Sequence, residues 1–145
     1  MNSGHTPNNL EKPLARSLLV LRLGIFVVML LWTIDKFVNP THNTGILSGF
    51  YGIDWLSHSS SYIIGGLELI LVIAFVCGLY RRWTYGTVLV IHAMSTFISY
   101  KQYLSPFDHM LFFTAWPMLA ACLALYWLRD WDNLLAFAQR KKTNA

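Results

Sequence analysis

Residues 61–83 read SYIIGGLELILVIAFVCGLYRRW, and from Ile63 to Leu79 the one ionisable side chain strong enough to matter is Glu68. An apolar run of this length, closed by the pair Arg81-Arg82, has the roughly 20 residues that a helix rising 1.5 Å per residue needs to cross a hydrocarbon core. A carboxylate inside such a run is costly unless paired or neutralised, and it marks a candidate site by default. The fold and the site therefore both turn on this stretch: it predicts a membrane helix, and it demands a partner for Glu68.

Working outward, the rest of the chain has the same character. Of its 145 residues 55% are hydrophobic and 12% charged, and the mean hydropathy is +0.45. Soluble domains carry about 25% charged residues. The net charge of +4 does not indicate a nucleic-acid surface, because the basic residues flank the apolar runs instead of gathering on one face. Cys77 and Cys122 form no C-x-x-C pair, so a dithiol redox centre is not supported. Both read as small buried apolar residues.

The pattern predicts an all-α integral membrane four-helix bundle. Residues 1–15 are read as a mobile polar N-terminus, 16–128 as the transmembrane domain and 129–145 as an amphipathic basic cytoplasmic tail. The spans fall at about 17–38, 60–80, 83–103 and 106–128. The first run is too long for a signal-peptide core and is read as retained. Asn39-Pro40 ends the first span. Between the first two spans an outer interfacial segment carries Ile46, Leu47, Phe50, Tyr51 and Ile53 as a short helix capped by Asn43 or Thr44. Ser105, Pro106 and Asp108 resemble a capping box at the start of the fourth helix, and Pro117 is expected to kink it. The tail is expected to form a helix lying on the inner surface through Trp131, Leu134, Leu135 and Ala138. Eight basic residues (Lys12, Arg16, Arg81, Arg82, Arg129, Arg140, Lys141, Lys142) fall on the N-terminal side and two, Lys36 and Lys101, on the other. The excess places both termini in the cytoplasm and the chain in a cell (inner) membrane.

Polar residues inside the spans define the candidate pocket. Glu68 lies 12 positions from the inner end of its helix and His92 lies 9 positions into the next, about 18 Å and 13 to 14 Å of depth. The tight turn at Arg81-Arg82 makes these helices neighbours, so His92 is the expected partner of Glu68, directly or through a water. His92, Ser95, Thr96, Ser99 and Tyr103 recur at helical spacing as one polar stripe facing the interior. Asp35 and Lys36 stand at the outer end of the first helix, where they are expected to close the mouth with Asp108 or His109. Arg22 is expected to snorkel to the inner headgroups. The same polar residues also suit plain interhelical packing contacts. His42, His58 and His109 show no metal-ligand spacing, and no metal site is assigned. Phosphate-loop, dinucleotide and Ser-His-Asp patterns are absent from the sequence.

The stretches LRLGIFVVMLLWTIDKF and IGGLELILVIAFVCGLYRRW, with an amphipathic segment between them, resemble the DoxX-like family of small four-helix membrane proteins. The resemblance runs from about Arg16 to Leu128 and rests on Gly24, Lys36, Gly65, Glu68, Gly78, Arg81 and Arg82. That family includes a subunit of a thiosulfate:quinone oxidoreductase, so the resemblance implies fold more firmly than reaction.

The reading that follows is a quinone-linked, redox-associated accessory subunit, not an autonomous enzyme, with quinone as its candidate ligand. Its pocket would be formed by Glu68, His92, Ser95, Thr96, Ser99, Lys36 and Asp35. Its partners would be the lipid bilayer and another membrane or redox subunit, with no nucleic acid. A non-enzymatic assembly or scaffold protein is the alternative, and a small proton-coupled transporter a further one, against which the lack of an inverted repeat argues.

Overall fold

The computed structural model describes residues 8–137, which form an all-helical chain with no strand among them. Helix α1 spans Asn8–Val38, α2 Pro40–Tyr51, α3 His58–Val76, α4 Arg81–Ile98 and α5 Tyr100–Tyr103. A 3-10 turn at Met110–Thr114 leads into α6, Ala115–Trp127. Three stretches are long and apolar enough to cross a membrane: Leu10–Val38, His58–Val76 and Met110–Trp127. Only 28%, 22% and 17% of their most apolar windows are buried within the protein. Most of their apolar surface, including Val20, Leu31, Ile63, Leu67 and Ile70, points outward. In water such a surface would drive aggregation; it is the surface of a multi-pass membrane protein.

Inside, α1 packs on α3 and α6, and α4 packs on the same two helices. Leu18, Ile25 and Met29 of α1 meet Val72 and Phe75 of α3, Tyr85 and Val88 of α4, and Cys122 and Leu125 of α6. The Phe75 and Tyr85 rings lie 4.9 Å apart. Because lipid tails are as apolar as this core, burial gives little drive for helices to associate. Close backbone approach and polar contacts must do more of the holding.

Several boundaries differ from the expected ones for local reasons. α1 is already helical at Asn8, the first described residue, and runs on through Pro13, whose missing N–H leaves one carbonyl without its helical partner. Asn39 ends α1 as expected, but it also starts α2: its side chain accepts from the His42 N–H, and Pro40 occupies the first helical position. Asn43, expected as a cap, is buried instead. Gly52 closes α2, with its N–H on Ser48 O and that of Ile53 on Leu47 O. Ser105 does not cap a helix with its side chain; its carbonyl accepts from Asp108 and His109 in a turn. Pro117, lacking an N–H, stands in the first turn of α6 rather than mid-helix, and the chain before it takes the 3-10 form.

The tail departs most. Residues 128–137 are turns, not an amphipathic helix, and they fold back across the end of the helices. Ala138 and the basic residues 140–142 lie outside the described residues.

Candidate functional site

Polar contacts gather at the two ends of the helix packing. At the end reached by the last turn of α1, Lys36 Nζ lies 2.7 Å from Glu68 Oε2, with the two side chains 13% and 11% exposed. Lys36 also donates to Trp32 O at 3.2 Å. The close approach is permitted by Gly65, one turn before Glu68 on α3: a Cβ there would stand 3.0 Å from the Phe37 ring and 3.1 Å from Lys36 Cβ. A bulkier residue at 65 would hold α1 off and strand the carboxylate. The same corner ties in α2, because Asn43 Nδ2 donates to Ser61 Oγ at 2.9 Å and Ser61 Oγ donates to Lys36 O at 3.1 Å. Asp35 turns outward instead, its Oδ2 2.6 Å from His42 Nδ1, and the His42 ring stacks on Trp32.

The expected direct contact of Glu68 with His92 is therefore not formed. Among the described residues no hydrogen bond joins them, and His92 Nε2 sits 3.1 Å from Ala115 O, linking α4 to α6. Depth alone suggested His92; the tight α1–α3 contact at Gly65 supplies a cation of opposite charge instead. The stripe above His92 is satisfied largely within its own helix. Ser95, Thr96 and Ser99 donate to the carbonyls of Ile91, His92 and Ser95. Tyr103 donates to Thr96 O at 2.9 Å. Asp35 and Lys36 do not close a mouth with Asp108 or His109: each takes the partner just named, and the His109 ring packs on Phe112.

The opposite end holds a cluster that the sequence did not disclose. Arg22 does not snorkel. It is 0% exposed, as is Asp132. Arg22 Nη1 lies 3.1 Å from Asp132 Oδ2 and donates to Tyr85 OH at 3.2 Å, while Nη2 donates to Leu134 O. Tyr85 OH in turn donates to Asp132 Oδ2 at 2.7 Å. One cation on α1, one hydroxyl on α4 and one carboxylate on the returning segment thus close a buried network. Around it, Phe137 N donates to Cys77 O at 2.9 Å, and Arg81 Nη1 donates to Arg129 O at 2.8 Å and to Asn133 Oδ1 at 3.3 Å. Gly78, at φ +66°, has no room for a side chain: a Cβ would meet Ala136 Cβ at 2.7 Å and Arg22 Nη1 at 3.0 Å. The signal in the sequence was the acid pair in RDWDN (Asp130 and Asp132), ill suited to a lipid-facing helix and matched by Arg22, set within the apolar run of α1.

The family model for methylamine utilisation protein MauE matches residues 14–107, about two thirds of the chain. This corrects the resemblance to the DoxX-like family, which is a different family. Gly24, Lys36, Gly65, Glu68, Gly78, Arg81 and Arg82 all lie within the matched stretch. Gly65, Lys36 and Glu68 serve close helix packing and a nearly buried interhelical ion pair, needs that are not peculiar to one family. No curated protein and no solved structure matches the chain.

Proposed function

The chain belongs to the methylamine utilisation protein MauE family, and from that premise we propose that it is an accessory membrane component of a methylamine-utilisation system. In this reading it supports a redox partner and does not carry out the chemistry alone. The observation that carries it, beside the family, is that the charges enclosed at the two ends of the helix packing are taken up by one another. Lys36 holds Glu68 and Arg22 holds Asp132, an arrangement that suits a scaffold better than a reaction centre. With α4 as a fourth span, α1, α3, α4 and α6 close a four-helix bundle in the inner membrane, and the basic excess puts both termini in the cytoplasm. The test is deletion of the gene in its host followed by growth with methylamine. Loss of that growth, restored by the chain and accompanied by co-purification of a partner subunit, supports the reading; unimpaired growth overturns it.

One observation favours a second reading, a quinone-linked redox role. His92 is half-buried, and with its Nε2–H donating to Ala115 O its Nδ1 is an acceptor with no partner among the described residues, so it is free to accept from a quinol hydroxyl. Quinol that stabilises the purified protein, with the effect lost in His92→Phe, would favour this reading, and the absence of any shift would remove it.

A further inference from the structure

A cleft of about 730 Å³ opens between the first turns of α1 and the returning segment after α6. That volume is within the roughly 300–1,000 Å³ of small-molecule sites. Its walls bring together two cations, Lys12 and Arg16, and two carboxylates, Glu11 and Asp130, with Ala15 and Trp131 between them. Among the described residues none of these four charges forms an ion pair with another residue. Side chains of opposite sign that share a cleft without pairing leave both signs available to a third party.

The depth of the cleft says what that party is. Arg16 immediately precedes the apolar run of α1, and Asp130 follows the end of α6 at Trp127 by three residues. Both walls therefore stand where the hydrocarbon ends and headgroups begin, and Trp131 is a residue type favoured at that level. Exposed apolar side chains of α1, such as Val20 and Leu23, continue from the cleft into the lipid region.

We propose that this cleft binds a zwitterionic phospholipid whose headgroup carries a primary ammonium, that is, a phosphoethanolamine lipid. The phosphate meets Lys12 and Arg16 in charge-assisted hydrogen bonds, and the ammonium donates to Glu11 and Asp130. A choline headgroup has no N–H to donate to the carboxylates. A purely anionic glycerol headgroup meets the cations but also the repulsion of the two acids. The bound lipid would bridge α1 and the returning segment.

The test is native mass spectrometry of the full chain in mild detergent, with matched-chain lipids bearing ethanolamine, choline or glycerol headgroups at equal concentration. The ethanolamine lipid is expected to be retained about fivefold over the other two, and Lys12→Gln with Arg16→Gln to lower its retention about fivefold to tenfold, the effect of losing two exposed charge contacts. Glu11→Gln with Asp130→Asn is expected to shift the preference toward the glycerol headgroup. Thermal unfolding of both double variants confirms that they fold. Soluble phosphoethanolamine, added alone, is expected not to displace the lipid at concentrations where the lipid saturates. Equal retention of all three lipids by the unaltered protein, or a preference that survives both double variants, overturns the proposal. Displacement by the free headgroup at such concentrations overturns the assignment to a lipid.

Discussion

Asp132→Ala removes the carboxylate that faces Arg22 in the buried cluster. Arg22 and Asp132 are both 0% exposed, so the guanidinium left behind has no route to water and no counter-charge. It keeps only the Tyr85 hydroxyl and the Leu134 carbonyl. Breaking a buried pair by deleting one partner costs about 3–5 kcal/mol, because an uncompensated charge remains. For a chain of this size that lowers the melting temperature by on the order of 10 °C. Replacing both partners with apolar residues, Arg22→Met with Asp132→Leu, removes the stranded charge, and the double variant should regain most of the loss. The assay is thermal unfolding in mild detergent of the original protein, the two single variants and the double variant, read as a double-mutant cycle. A loss below about 1 kcal/mol for Asp132→Ala, the behaviour of a solvent-exposed pair, would refute the reasoning, as would a double variant no better than the singles.

Three further outcomes follow from the contacts. Lys36→Met should destabilise by about 2–3 kcal/mol, less than a fully buried pair because both partners retain slight exposure, and Lys36→Met with Glu68→Met should recover most of it in the same melts. Gly65→Ala should cost about 1–3 kcal/mol by forcing its Cβ against Phe37 and Lys36, whereas Gly24→Ala, with nothing within 4 Å of its Cβ, should melt at or above the original temperature because alanine favours helix. Gly78→Ala should cost at least about 2 kcal/mol, since it adds a left-handed penalty of about 1–2 kcal/mol to a clash with Ala136; faster proteolysis after Leu128 would report the displaced segment.

What could be read from the sequence was what local pattern dictates. The apolar runs announced membrane helices, and Asn39-Pro40 announced a boundary, though not that the same pair also starts α2. Glu68 announced the need for a partner. Which partner depended on which helix comes nearest, and that is a tertiary fact. Depth favoured His92, but Gly65 admits α1 so closely that Lys36 arrives first. Both members of that pair stand out in the sequence as candidate pocket residues; their pairing is not legible there. Arg22 was misjudged because a long side chain near a helix end has two ways to satisfy its charge, reaching water or meeting a carboxylate. The second depends on a segment more than a hundred residues away folding back, and no periodicity encodes that. Pro117 signalled an interruption correctly in kind, but the chain answers it by starting a new helix instead of bending an existing one.

The account rests most heavily on the returning segment being fastened to the helices through Asp132, and hydrogen exchange tests this directly. Exchange should be followed on peptides covering residues 129–137 in the full chain, reconstituted in lipid, with and without Asp132→Ala. The account predicts that the amide of Phe137, held by Cys77 O, is protected in the original protein and exchanges freely in the variant, while the amides of α3 and α6 stay protected in both. A segment that exchanges at the free rate in the original protein, or keeps its protection when Asp132 is removed, would contradict it.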